Sequence, residues 1–132
     1  MTKLIHLIFC ALLGYTAWLQ LNDPDPLFWV TLYLLAAAVP FVRMLSLGGG
    51  IGSKTTGVAA GYCAAGILMT LPGGLEYLNH ITSESLIQDM SPAKPYIEEA
   101  RELIGTVFAF IVVVAYWVFD SLKLQRRSDY FA

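Results

Sequence analysis

Four long apolar segments constrain the fold of this chain more than any other feature. They cover residues 4–21, 27–47, 55–71 and 103–122. Each is close to the roughly 20 residues that an α-helix needs to cross the hydrocarbon core of a bilayer. A barrel strand would need only about 9–11 residues of alternating polarity, and the segments lack that alternation. Because backbone groups in lipid must bond within the segment, the sequence predicts four transmembrane helices.

The composition agrees with a chain that folds in lipid. Hydrophobic residues make up 57% of the 132 residues and charged residues only 14%. A soluble domain of this length has too much surface relative to its volume to hide that apolar content. The net charge of −2 offers no basic footprint for nucleic acid. We therefore expect an all-α, four-transmembrane-helix bundle forming one membrane domain, with no nucleic-acid partner.

The charged residues predict how the bundle is oriented. An even number of spans places both termini on one side, which then carries six of the eight Lys and Arg residues. By the positive-inside rule this side is cytoplasmic. The opposite, outer side carries two basic and eight acidic residues, a formal charge of −6, against +4 inside. We expect an integral protein of the bacterial inner (plasma) membrane with both termini in the cytoplasm.

The first outer turn is rich in polar side chains. It reads Gln20-Leu21-Asn22-Asp23-Pro24-Asp25-Pro26 and is followed by Trp29. Asp25 is suited to cap the second helix, with Pro26 at its first position, and Trp29 is suited to an aromatic belt. A cap needs only one acid, so the turn alone and an added role in binding a cation or polar headgroup both remain open.

A second polar cluster precedes the fourth apolar segment. It reads Glu98-Glu99-Ala100-Arg101-Glu102, and Pro95 is suited to begin a helix that includes it. On that helix Glu98 faces both Arg101 and Glu102. Acids suit the positive end of the helix dipole, but an arginine does not. A solvated helix start and a ligand-directed group are equally consistent with this pattern.

The predicted topology places both clusters on the outer side, where they could converge on one polar pocket. The acids Asp23, Asp25, Glu98 and Glu102 are the candidate metal ligands, with a divalent cation as the possible cofactor. Gln20, Asn22 and Arg101 would orient them. The loop over residues 73–95 lies on the same side, and its His80 is more often a solvated residue than a ligand.

Two glycine-rich stretches have simpler interpretations. Gly57 and Gly61 form a small-xxx-small pattern that lets helices approach closely. Packing within the chain is favoured over contact with a membrane protein partner or a second copy. The inner loop over residues 46–54 is similar to a phosphate-binding loop but has Ser53 where that motif needs glycine. We interpret it as a flexible turn.

The two outer motifs together resemble the transmembrane protein 220 family. The matching residues are Gln20, Asn22-Asp23-Pro24-Asp25-Pro26, Trp29 and Tyr33, then Glu98-Glu99, Arg101-Glu102 and Gly105. The resemblance implies a small four-helix membrane protein. It brings no established reaction, so it implies no catalytic residue.

These observations favour a binding protein over an enzyme. The leading hypothesis is an outer acidic pocket for a cation, a polar lipid headgroup or a partner. One alternative is an accessory subunit of a larger membrane complex. A metal-dependent hydrolase within the membrane is a weaker alternative, because a site built from carboxylates alone suits zinc poorly.

Overall fold

The computed structural model describes residues 2–47 and 50–130 of the chain. Its helices are α1 (Lys3–Leu19), α2 (Pro26–Met44), α3 (Ile51–Tyr77) and α4 (Pro95–Asp129), with a short 3-10 turn at Gln20–Asn22. The described residues contain no strand. All four helices are long and apolar enough to cross a membrane. The predicted all-α architecture with four membrane-spanning helices is confirmed.

Successive helices run up and down through the bundle. The end of α1, the start of α2 and the start of α4 meet at one end, where Asp23 lies beside Glu98 and Glu102. The end of α2, the start of α3 and the C-terminal half of α4 meet at the other end, where Arg43 contacts Thr56 and Asp120. We refer to these as the acidic end and the basic end.

Helix α2 is at the centre of the packing because it contacts each of the other three helices, and α3 lies along α4. Large buried side chains of α2 fill the core, including Trp29, Leu32 and Tyr33. They pack with Leu13 of α1 and with residues of α3 and α4. Apolar side chains on the surface of the bundle are exposed, as expected for helices that face lipid.

Helix α3 is longer than the sequence predicts. The apolar segment was expected to stop at Leu71, before Pro72, yet the helix continues to Tyr77. The long loop therefore spans residues 78–94 rather than 73–95. A proline removes one hydrogen bond of the helix ladder without ending it when packing holds the backbone. Here Gly73 and Gly74 let that turn approach Glu99 and Leu103 of α4 closely.

The start of α4 agrees with the sequence and its end does not. The helix begins at Pro95, as expected, and includes two turns ahead of the apolar span over residues 103–122. It ends at Asp129, beyond the end of the apolar span at residue 122. Residues 83–90 of the long loop contain no helix.

The basic end is held by side-chain contacts between helices. Arg43 Nε donates to Asp120 Oδ2 at 2.9 Å, and Arg43 Nη2 donates to Thr56 Oγ1 at 3.1 Å. His6 and Tyr116 form a buried hydrogen bond of 2.7 Å between α1 and α4. The inner loop predicted over residues 46–54 includes positions 48 and 49, which lie outside the described residues.

The glycine pattern at residues 57 and 61 makes no close contact with another helix. Both glycines are exposed, and a Cβ added at either would meet no atom within 4 Å. The expectation that they pack within the chain is wrong. Gly66 takes that role, because a Cβ there would lie 2.7 Å from Leu32 Cδ1. A contact of Gly57 and Gly61 with a membrane protein partner or a second copy stays a prediction.

Candidate functional site

The turn between α1 and α2 brings Asp23 back toward the bundle. After the 3-10 turn, Asp23 adopts an extended backbone (φ −73°, ψ 155°), as expected for a residue before proline. Asp25 occupies the N-cap position of α2, but its side chain makes no capping hydrogen bond. Asp25 therefore occupies the N-cap position that the sequence predicts, but it lacks the capping hydrogen bond that would explain an acid at this position.

The first turns of α4 present acids to the same region. Ile97 and Ala100 are buried and fix the rotation of the helix. Glu98 and Glu102 are four residues apart, so they lie on one face. Both are half-buried and both precede the apolar span, which starts at residue 103.

Three carboxylates converge at this point. Asp23, Glu98 and Glu102 each offer an oxygen, and these atoms all lie within 4.8 Å of one another. This spacing fits three groups bound to a single metal ion, since metal–oxygen distances for Ca²⁺ are about 2.3–2.6 Å. Asp25, the fourth candidate ligand, is not part of the cluster.

Burial and mutual repulsion disfavour the ionised form of the carboxylates in this cluster. Burial raises the pKa of Asp23, and the charges of Glu98 and Asp25 raise it further, whereas the charge of Arg101 opposes the rise. Burial, followed by the charge of Glu98, raises the pKa of Glu102 to about 8. The carboxylates are therefore held close together at a cost in electrostatic energy that a bound cation would remove.

Two cavities adjoin the cluster, and Glu98 and Glu102 line both. The first, which we call the α1 chamber, has a volume of about 290 Å³. Its other lining residues are Leu19, Gln20, Asp23, Tyr33, Met90 and Arg101. The second, the α3 chamber, has a volume of about 250 Å³. Its other lining residues are Pro24, Asp25, Trp29, Met69, Thr70, Pro95 and Glu99.

Each chamber contains a buried polar atom without a partner among the described residues. In the α1 chamber this atom is Asp23 Oδ2, and in the α3 chamber it is the indole nitrogen of Trp29. Trp29 is only 2% exposed. Buried polar groups are almost always hydrogen-bonded, so each of these two atoms requires a partner that the described protein atoms do not supply.

The remaining predicted site residues are distributed around the cluster. Gln20 and Arg101 line the α1 chamber, whereas Asn22 is exposed and lies in a shallow depression beside it. Arg101 forms no ion pair within 4 Å among the described residues. Its Nη1 donates a long bond of 3.4 Å to the Gln88 carbonyl. Trp29 was predicted in an aromatic belt, but it is buried because α2 is surrounded by the other helices.

Tyr33 and Met90 are among the lining residues that the sequence analysis did not predict as site residues. Tyr33 lies one turn after Trp29 on α2, and its hydroxyl reaches Gly105 of α4 at a point where a Cβ would collide. The i,i+4 spacing of the two aromatics was a usable signal. Met90 belongs to the long loop, and no pattern in the sequence indicates its position.

The long loop is folded over the site by polar contacts. Lys94 Nζ pairs with Glu84, whose backbone carbonyl accepts a bond of 2.8 Å from Tyr77 Oη. This pair lowers the pKa of Glu84 and raises that of Lys94. His80 stacks on Tyr96, with ring centroids 4.5 Å apart, and does not line either chamber.

Comparison with protein-family models matches residues 12–118 to the family described as transmembrane family 220, helix. The chain belongs to transmembrane family 220. The matched region of this family member extends from α1 to α4 and includes both acidic motifs. No curated protein and no solved structure matches the chain.

Proposed function

We propose that this member of transmembrane family 220 binds a hard divalent cation at its acidic end. Asp23, Glu98 and Glu102 each supply carboxylate oxygen. The observation that carries the proposal is their convergence within 4.8 Å from two distant parts of the sequence. The orphaned Asp23 Oδ2 and Trp29 Nε1 support it independently, because both atoms lack a partner that a hydrated cation would supply.

The donor set favours Ca²⁺ or Mg²⁺ over zinc. Carboxylates are hard oxygen ligands, whereas zinc sites are commonly built from His and Cys. Three carboxylates can supply up to six oxygens to Ca²⁺, which accepts 6–8, and water supplies the rest. A water that donates to a carboxylate of the site can supply the acceptor that the Trp29 N–H lacks.

The charge pattern supports a site on the outer side of the membrane. Six of the eight Lys and Arg residues lie toward the basic end, which the positive-inside rule assigns to the cytoplasm. The carboxylates then face the periplasmic or extracellular side. Extracellular Ca²⁺ modules bind with Kd values of about 10⁻⁴–10⁻³ M, and we expect an affinity in this range.

Terbium luminescence tests the proposal, because Tb³⁺ binds at Ca²⁺ sites and is excited by a nearby indole. Full-length protein in detergent micelles is titrated with Tb³⁺, and bound Tb³⁺ is then displaced with Ca²⁺ or Mg²⁺. Asp23→Asn and Glu102→Gln are expected to weaken Tb³⁺ binding by at least about tenfold, since each removes a charged ligand. Trp29→Phe is expected to remove most of the sensitised emission while leaving Ca²⁺ binding in place.

Glu76→Gln is the matched control. Glu76 lies on the acidic end near the close of α3 but outside the three-carboxylate cluster, so its loss leaves the affinity unchanged. Calorimetry with Ca²⁺ alone gives a second readout that does not depend on Trp29. Equal affinities for wild type, Asp23→Asn and Glu102→Gln would overturn the proposal.

A further inference from the structure

Arg101 has a positive charge that forms no ion pair with the described residues. Its guanidinium lines the α1 chamber beside three carboxylates, yet none of the described acids lies within 4 Å of it. Its hydrogen bond to the Gln88 carbonyl is long, at 3.4 Å. A guanidinium with free N–H groups matches the geometry of phosphate oxygens, which it can bind through two parallel bonds.

A cation alone would bind the carboxylates of the site but would offer no hydrogen-bond acceptor to its N–H donors. Arg101 would still lack an acceptor in the α1 chamber. A cation whose coordination shell includes an oxyanion would satisfy both kinds of group. The chemistry of the chamber therefore points to a cation with an anionic oxygen ligand.

The charges make this arrangement dependent on the cation. With all three carboxylates ionised and no cation bound, the carboxylates and the guanidinium give the chamber a formal charge of −2, which repels an anion. A divalent cation brings the formal charge to zero. An oxyanion can then bind the metal on one side and Arg101 on the other.

The position of the chamber identifies the source of the oxyanion. The exposed side chains of Leu19, Leu21 and Leu27 flank the acidic turn, and the apolar span of α4 begins directly after Glu102. The chamber therefore lies where lipid headgroups lie. Its volume of about 290 Å³ is at the small end for ligand sites, so it suits a headgroup rather than a large soluble molecule.

We infer that the cation-loaded α1 chamber binds the phosphate of a phospholipid headgroup. The carboxylates of Asp23, Glu98 and Glu102 would hold the cation, which would bind one of the two free oxygens of the phosphodiester, and Arg101 would donate to the other. The acyl chains lie along the apolar surface of the bundle. This inference rests on the proposed cation site and adds the class of ligand that the site takes.

Native mass spectrometry of the full-length protein in detergent tests the inference. The protein is incubated with phosphatidylglycerol, or with diacylglycerol as a lipid without phosphate, in 1 mM Ca²⁺ or in EDTA (concentrations on the order of Kd for such sites). We expect one phospholipid retained in Ca²⁺, little in EDTA, and no comparable retention of diacylglycerol. Arg101→Gln is expected to weaken phospholipid retention about tenfold while changing the Tb³⁺ affinity much less.

Lys94→Gln is the matched control, because Lys94 is a basic residue of the same end that pairs with Glu84 outside the chamber. Arg101→Lys provides a second variant if Arg101→Gln fails to fold. Retention that is equal in EDTA, or equal in wild type and Arg101→Gln, overturns the inference. If the protein binds inorganic phosphate but retains no phospholipid, the inference that the phosphate comes from a lipid is overturned. Absence of Tb³⁺ binding to the wild type is a separate result, which overturns the proposed cation site itself.

Discussion

Asp23 and Glu102 place carboxylate oxygens within 4.8 Å of each other, although one lies in the α1–α2 turn and the other on α4. Glu98 completes the group. Ionised carboxylates this close together repel each other, so their proximity lowers the stability of the fold. The acidic end is therefore one convergent cluster and not two independent helix ends.

The first prediction concerns pH in the absence of metal. The pKa of Glu102 is about 8 in the folded protein, against an ordinary value of 4.5. Between these values the folded state binds more protons than the unfolded state, so stability falls as pH rises through this window. Thermal unfolding in EDTA from pH 4.5 to 8 is expected to show a falling Tm, and Glu102→Gln to flatten the slope. Glu76→Gln should keep it, and equal slopes for wild type and Glu102→Gln would contradict the prediction.

The second prediction concerns the basic end. Arg43→Met leaves the Asp120 carboxylate without its partner. The side chain of Asp120 is 35% exposed, so the cost lies between that of a surface pair and that of a buried one, about 1–2 kcal/mol. Arg43→Met combined with Asp120→Leu is expected to recover part of this loss, because no unpaired charge remains. Unfolding in sodium dodecyl sulfate measures both, with Lys54→Met as a control at an exposed basic residue. A double variant less stable than the sum of the two single changes would count against the pairing.

The third prediction separates two kinds of glycine. Gly105→Ala would force the Tyr33 hydroxyl out of its place, and overpacking of this kind costs about 1–3 kcal/mol. Gly57→Ala meets no atom within 4 Å and is expected to be neutral or to stabilise the helix by up to about 1 kcal/mol. Unfolding curves of the two variants in the same detergent compare them. A loss of monomer stability for Gly57→Ala equal to that of Gly105→Ala would contradict the outward position of Gly57.

The fourth prediction concerns orientation. Cys10 and Cys63 are first replaced by alanine, and a single cysteine is then placed at Ser85 in the long loop or at Ser128 near the end of α4. An impermeant maleimide added to intact cells is expected to label the Ser85→Cys protein and to spare the Ser128→Cys protein until the membrane is opened. The reverse pattern would place the acidic cluster in the cytoplasm.

Helix α3 shows where reasoning from sequence stops. The apolar run ends before Pro72, and proline is normally a sign that a helix ends or bends. The helix nevertheless continues to Tyr77, because Gly73 and Gly74 let it pack closely on α4. That contact joins segments distant in the chain, so no local pattern could indicate it. Met90 lines the α1 chamber because the long loop packs against segments distant in the chain, which no local pattern could indicate either.

The sequence alone determined the number of helices, their membrane location and the end of the bundle at which the acids lie. Those properties follow from segment length and from the need to satisfy backbone hydrogen bonds in lipid. The tertiary structure decided that Asp23 joins Glu98 and Glu102 while Asp25 turns to the other chamber. It also decided that Trp29 is buried and that Gly57 faces outward. These outcomes depend on how far each helix is rotated about its own axis. When a helix is apolar on every side, the periodicity of its sequence does not show which side faces the bundle. Only the packing of α2 against its three neighbours fixes that rotation.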